Sequence, residues 1–429
     1  MFDARRKALF AQLPNLSAVL MQSASVKLRN HDTEYPYRQE SYFYYLTGIQ
    51  QADVTLLFVK RDGKESFHVF CDDTNLEKER WIGRQMSHAS AKSQYGATEV
   101  HLLQALDEKL LELLSGLSSI YFFLDDMTLQ RKMSGIYRKL KNKARQGEAT
   151  PEAFQELSML LGPMRLIKSD VELERMQKAA TISVEAHNRV MQLCKPGMYE
   201  YELEAELLRT FYAHGSRYPA YTSIVAGGAN ACVLHYVDNR DILRSGDLVL
   251  IDAGAEYDYY ASDITRTFPV NGQFSGPQRA IYEIVLNAQL AGIRCIKPGV
   301  CFEAIQAAIV KEIVRGLISL KIFEMNEQEA IETKAYQRYY MHKSGHWLGM
   351  DVHDVGPYHL NGQSIPLAVN QVLTVEPGLY FDPAYQEVPE IYRGIGIRIE
   401  DDVVVGDKEP VVLSQGVPKS ITDIEKLMA

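Results

Sequence analysis

The segment Leu248-Val249-Leu250-Ile251-Asp252-Ala253-Gly254, followed after a polar-aromatic turn by Ser262-Asp263-Ile264-Thr265-Arg266-Thr267-Phe268, decides how the second half of this chain is read. A short apolar run of this kind is a buried strand; it ends on a carboxylate, and a second extended segment begins on another. Antiparallel pairing of the two brings Asp252 and Asp263 to one place, where they repel unless a cation or hydrogen-bond donors compensate them. Asp252 by itself reads as a turn residue capping a loop. For the pair, that reading and a shared cation site stand side by side.

Outward from this pair, the chain alternates between two textures. Ser169 or Asp170 caps a helix whose first turn carries Glu172 and Glu174, and Met176, Ala179, Ala180, Ile182 and Ser183 keep its rhythm until Pro196 and Gly197. Further helices are expected over Tyr201–Tyr212, Pro277–Ile293 and Phe302–Leu320, with strands from Asp247 onward between and after them. That is an α+β pattern. Toward the N-terminus the runs Val54–Val59, Phe67–Cys71 and Ile120–Leu124 read as strands and Leu102–Leu117 as a helix, an α/β pattern. Leu140–Pro151 is a largely polar stretch, Phe154–Leu161 has helical spacing, and Arg165–Asp170 is a polar junction. The expected domains are therefore residues 1–168 and 169–429, as a chain of 429 residues exceeds what one core organises.

Lys and Arg total 46 against 55 Asp and Glu, a net charge of -9 that argues against nucleic acid or an anionic membrane as a partner. Cys71, Cys194, Cys232, Cys295 and Cys301 show no CxxC spacing, which fits free thiols in a reducing compartment. With no signal-peptide pattern and no run near the ~20 apolar residues of a membrane span, the expected location is cytoplasmic.

Three more stretches carry chemistry. Met341-His342-Lys343-Ser344-Gly345-His346-Trp347-Leu348-Gly349-Met350-Asp351-Val352-His353-Asp354 holds three of the 11 histidines. No glutamate follows His342 or His346, so this is not the HExxH of zinc proteases; each imidazole reads either as a metal ligand or proton carrier or as a packed, hydrogen-bonded residue. Leu373-Thr374-Val375-Glu376-Pro377-Gly378 closes a strand on a carboxylate, with Pro377 and Gly378 suggesting a sharp turn. In Ile395-Gly396-Ile397-Arg398-Ile399-Glu400-Asp401-Asp402, alternation puts Arg398, Glu400 and Asp402 on one face. Standing alone, that face reads as a solvated Arg398–Glu400 pair. Together, four carboxylates and one histidine suit two oxygen-preferring divalent ions such as manganese or cobalt.

These segments closely resemble the Xaa-Pro aminopeptidases, or aminopeptidase P, of the pita-bread metallopeptidase family. The resemblance also takes in Tyr35-Pro36-Tyr37-Arg38-Gln39, Tyr44-Tyr45-Leu46-Thr47-Gly48 and Trp81-Ile82-Gly83-Arg84, which look like that family's N-terminal domain. It implies an α/β N-terminal domain and an α+β pita-bread catalytic domain, whose helices cover a curved antiparallel sheet. It implies Asp252, Asp263, His346, Glu376 and Glu400 as ligands of two divalent ions, expected to be Mn2+, with Asp263 and Glu400 bridging. His235, His342 and His353 match the family's other active-site histidines, and Tyr380 and Arg398 line the substrate side.

The function so implied is release of the N-terminal residue from peptides with proline in second position, by attack of a metal-bridging hydroxide with Glu376 as proton acceptor. A homodimer or homotetramer is expected. Prolidase shares the ligands but accepts only dipeptides; the compact Val388-Pro389-Glu390-Ile391-Tyr392-Arg393-Gly394 passage favours the aminopeptidase. Creatinase lacks the acids present here, and a non-catalytic pita-bread interaction module is the alternative from another class. The sequence leaves open whether Lys343 faces the site.

Overall fold

The computed structural model describes residues 1–144, 147 and 149–429. It divides into two compact units, Met1–Pro163 and Met164–Ala429. No helix among the described residues is long and apolar enough to cross a membrane, and the five cysteines are free.

The first unit is an α/β layer structure. Its six-stranded sheet runs, edge to edge, Glu99–His101, Lys64–Phe70, Thr55–Arg61, Ser17–Gln22, Ser119–Phe122 and Ala153–Glu156. Ser17–Gln22 pairs antiparallel with Thr55–Arg61 and parallel with Ser119–Phe122. These central strands are buried on both faces, which explains their unbroken apolar runs. Leu106 and Leu110 of one helix and Leu129, Met133, Ile136 and Leu140 of another recur at helical spacing and pack with Ala18, Leu20, Leu57 and Ile120. Each such side chain contributes roughly 1.5–3 kcal/mol on burial.

Two local expectations give way here. The helix Met127–Lys143, capped by Asp126, continues into the stretch read as polar, because Leu140 completes its apolar face; residues 145, 146 and 148 of that stretch lie outside the described residues. Phe154 lies not on a helix but on the strand Ala153–Glu156, parallel to Ser119–Phe122, with its ring edge-on to Phe122 and Tyr137. An available sheet edge outweighs the helical spacing, and the helix starts only at Ser158, whose N–H donates to Glu156.

In the second unit the helices Asp170–Leu193, Glu200–Ala213, Gly276–Cys295 and Phe302–Ser319 pack against short antiparallel strands around one large apolar core. Glu172 accepts the N–H and hydroxyl of Ser169, closing the expected N-terminal cap. The junction Arg165–Asp170 is not a solvated linker. Arg165 donates to Asp354 at 2.6 Å and Lys168 at 3.0 Å, and all three side chains are about 1% exposed. Two cations held by one buried carboxylate tie the start of this unit to the histidine-rich stretch.

Ile224–Gly227, Leu248–Asp252 and Thr265–Pro269 form one three-stranded antiparallel sheet, in which Asp252 faces Ile224 and Thr265. Val372–Val375 pairs with Asp401–Val404, and Gly378–Phe381 with Ile395–Arg398. Both of these ladders are interrupted at the same level, between Val375 and Gly378 and between Arg398 and Asp401. Pro377 has no N–H to give, while the N–H groups of Glu376 and Glu400 turn to the carbonyls of Ser344 and Thr265. Gly378 adopts no left-handed conformation; it lies in a strand, where a Cβ would collide with the Tyr380 hydroxyl and the carbonyl of Ile397. The turn expected at Pro377-Gly378 is thus a break in a strand.

Candidate metal centre

Glu376 and Glu400 occupy those two breaks, and Asp252 and Asp263 the end and the approach of the neighbouring hairpin. The four carboxylates and His346 therefore converge on one cavity of about 820 Å³. Donor atoms of Asp263, His346 and Glu400 all lie within 4.8 Å of one another. His346 Nε2 is 3.4 Å from Asp263 and 3.9 Å from Glu376. Its Nδ1–H donates to the Trp347 carbonyl at 3.0 Å, so Nε2 can offer a lone pair to the cavity. His346 is held by its N–H to the Thr374 hydroxyl and by the bridge between Trp347 and Leu373. A Cβ on Gly345 would collide with the Thr374 carbonyl, so only glycine lets the histidine segment lie this close.

The solvated Arg398–Glu400 pair that this strand suggests when read alone does not form. Arg398 and Glu400 are 4% and 2% exposed, and the strand breaks between them. Arg398 donates to Asp252 at 2.6 Å, to the Thr265 hydroxyl at 3.1 Å and to the Tyr380 hydroxyl at 3.1 Å. Glu400 accepts from Thr265 Oγ1 at 2.7 Å. Asp402 turns away from the cavity to receive the Ser262 hydroxyl and the Asp263 N–H.

Charge balance identifies what this set of groups lacks. Arg398 commits to Asp252, leaving Asp263, Glu376 and Glu400 to crowd around one imidazole. Burial, with the neighbouring carboxylates, pushes Glu376 up to about 7 and Glu400 well above the carboxylate range. Burial opposes charge on His346, yet its hydrogen bond to Asp263 pushes it up to about 9. A buried group of oxygens so short of positive charge, with one correctly oriented imidazole, fits divalent cations.

Around these groups, His342 donates from Nδ1 to the Lys343 carbonyl at 2.8 Å and accepts the Tyr380 hydroxyl on Nε2 at 2.9 Å. Burial holds it down to about 4, so it is neutral. His342 and Arg398 line the cavity, with the buried Tyr380 behind them. His353 lies with its ring 4.1 Å from that of His346, and His235 lines the same cavity and is exposed. Lys343 does face this cavity, with its ammonium 5.5 Å from the Tyr358 ring centre.

Sequence reading missed Tyr221, whose hydroxyl lies 2.6 Å from both Asp252 and Asp263. Burial and the two acids keep this phenol protonated, and its single proton serves one of them at a time. The only local signal is an aromatic residue in the polar lead-in to Ile224–Gly227. Thr265 and Thr374 were missed as well, being threonines in strands like many others.

Comparison with known proteins agrees with this arrangement. Residues 174–407 match metallopeptidase family M24, and residues 2–121 match the aminopeptidase P N-terminal domain. The chain is 41% identical to the Xaa-Pro aminopeptidase of Escherichia coli (strain K12), over 100% of its own length and 97% of the relative's. It is 40% identical to that of Haemophilus influenzae, over 100% and 96%. Among solved structures, Pseudomonas aeruginosa aminopeptidase PepP superposes with a TM-score of 0.97 at 44% identity, covering 100% of this chain and 97% of that one. A glutamate-to-alanine variant of Escherichia coli aminopeptidase P in complex with substrate gives 0.97 at 40% identity, with 100% and 97% covered. The α/β plus pita-bread architecture implied by the resemblance is thereby borne out.

Proposed function

The chain belongs to metallopeptidase family M24 and is an Xaa-Pro aminopeptidase, and on that premise we propose that it works with two divalent cations held by Asp252, Asp263, His346, Glu376 and Glu400. The observation that carries this is the convergence of four buried carboxylates and an imidazole whose Nε2 points at them on one cavity, with a single guanidinium to offset them. In this reading Asp263 and Glu400 would be the pair shared between the ions; their donor atoms and that of His346 lie within 4.8 Å of one another. Mn2+ suits so oxygen-rich a set. When bound, such ions acidify water and polarise a carbonyl.

The chain's own groups do the rest. Glu376 takes a proton from the attacking water on its carboxylate oxygen and returns it to the leaving proline nitrogen. His235 or His353 donates to the oxygen that gains charge on the scissile carbonyl. The substrate's α-amine binds beside Asp252, which restricts cleavage to the N-terminal bond. His342 and Arg398, kept in place by Tyr380, orient the peptide beyond the scissile bond. Ile224, Leu234, Val352 and Tyr358 offer apolar surface to a proline ring, which has no N–H to satisfy. The protein acts in the cytoplasm as a homodimer or homotetramer in this reading.

The deciding assay compares release of the first residue from an Xaa-Pro-Xaa tripeptide, the matching Xaa-Ala-Xaa peptide and an Xaa-Pro dipeptide, with Mn2+ in excess. Cleavage of the first alone is expected. Equal cleavage of the alanine peptide would remove the proline specificity, and a preference for the dipeptide would move the assignment to prolidase.

A further inference from the structure

We propose that the N-terminal unit carries a divalent-cation site of its own, formed by His68, His101 and Glu99 at the edge of its sheet, with the donor chemistry to take Zn2+. The strands Lys64–Phe70 and Glu99–His101 run parallel there, with His68 opposite Glu99 and Phe70 opposite His101. Alternate residues of a strand share a face, so all three side chains project from the same side of the sheet.

His68 Nδ1 and His101 Nε2 lie 3.1 Å apart, and Glu99 Oε2 is 3.6 Å from the second and 4.0 Å from the first. Zinc bonds of 2.0–2.1 Å in a tetrahedron set donors about 3.3 Å apart. The triangle is therefore the size one ion requires, after a small movement of the glutamate. An imidazole–imidazole hydrogen bond accounts for the shortest side alone. It leaves the Glu99 carboxylate turned toward both rings at more than hydrogen-bonding distance.

The surroundings favour ligation. Ser66 Oγ, 2.9 Å from His68 Nε2, can accept that N–H and leave the Nδ1 lone pair directed at the triangle. The Phe70 ring stacks on His101 at 4.8 Å and limits its rotation. His68 is buried and His101 nearly so, and burial holds both below the usual imidazole range, hence neutral at pH 7. Glu99, 58% exposed, provides a way in from solvent. The nearest ammonium, Lys109, is engaged by Glu112 at 2.8 Å, which offsets its charge. Two imidazoles and one carboxylate suit zinc, whereas the oxygen-rich centre of the other unit suits manganese. The proposal stands independently of the reading of that centre.

The test uses the full-length chain with Mn2+ in excess, dialysed against buffered Zn2+, and counts both metals by elemental analysis in the parent, His101→Gln and Glu99→Gln. The parent is expected to hold one more metal equivalent than His101→Gln, while Glu99→Gln binds that equivalent at least about tenfold more weakly. Peptidase turnover of both variants in Mn2+ should equal the parent's, showing that the fold is intact. Identical metal content in parent and His101→Gln would overturn the site and leave a hydrogen-bonded histidine pair. If His101→Gln fails to fold, the largely exposed Glu99→Gln decides: unchanged Zn2+ affinity overturns the proposal as well.

Discussion

Replacing His187 with glutamine should make the second unit less sensitive to mild acid. His187 is fully buried on the helix Asp170–Leu193, where its Nε2–H donates to the Ala253 carbonyl at 2.9 Å and its Nδ1 has no hydrogen-bond partner among the described residues. A proton on Nδ1 would place a charge and an unpaired N–H in the core, and burial lowers this imidazole from 6.5 to about 4. Because the folded pKa lies below the unfolded one, the contribution is complete above about pH 6.5 and is lost as pH falls toward 4, where the unfolded chain binds more protons. Between pH 8 and pH 5 the loss from this one group is about 2 kcal/mol. For a unit of this size that corresponds to roughly 4–8 °C of melting temperature. Glutamine can keep the donor to Ala253 but cannot titrate. Thermal unfolding of the metal-free chain in chelator, followed for parent and His187→Gln at pH 8 and pH 5, isolates the effect, since all other acid-sensitive groups are common to both. The parent should lose the larger increment. Parallel curves for the two proteins would refute the assignment of this acid sensitivity to His187.

Glu376→Gln should lower kcat on an Xaa-Pro-Xaa peptide by about 10²- to 10⁴-fold at saturating Mn2+, the usual contribution of a proton-transferring group; near-normal turnover would exclude it as the proton acceptor. Asp354→Asn removes the buried carboxylate that Arg165 and Lys168 share, leaving Arg165 with the more exposed Asp351, and should cost about 3–5 kcal/mol in denaturant unfolding; a loss below about 1 kcal/mol would mean that water already reaches the cluster. Gly345→Ala should push the histidine segment off the Thr374 carbonyl and reduce metal content measured by elemental analysis, whereas full content would show that His346 is positioned otherwise. Tyr221→Phe removes the proton shared by Asp252 and Asp263 and should alter kcat or metal affinity while thermal stability changes by less than about 1.5 kcal/mol; unchanged catalysis and metal binding would make Tyr221 a packing residue.

Much of this was legible along the chain because its signals are local. Helix periodicity located Asp170–Leu193, Gly276–Cys295 and Phe302–Ser319 to within a few residues, and apolar runs ending on acids picked out Asp252 and Glu376. Phe154 was misread because a few apolar residues at mixed spacing suit a strand and a helix alike, and the partner strand that decides lies outside the window. Arg165 and Lys168 read only as part of a polar junction, since two cations in a polar stretch carry no sign that one distant carboxylate will bury them.

Which groups the chain has for its chemistry, and which strand ends carry them, is determined by the sequence itself, through alternation, periodicity and the cost of burying an uncompensated carboxylate. The partnerships were decided only in three dimensions. Tyr221 reaches acids 31 and 42 positions away, and Thr265 holds Glu400 across 135. Those contacts depend on strand register, on two ladders breaking at one level and on helices docking behind them. Strand pairing and docking join residues that share no local pattern, so only the assembled fold selects one threonine and one tyrosine from many.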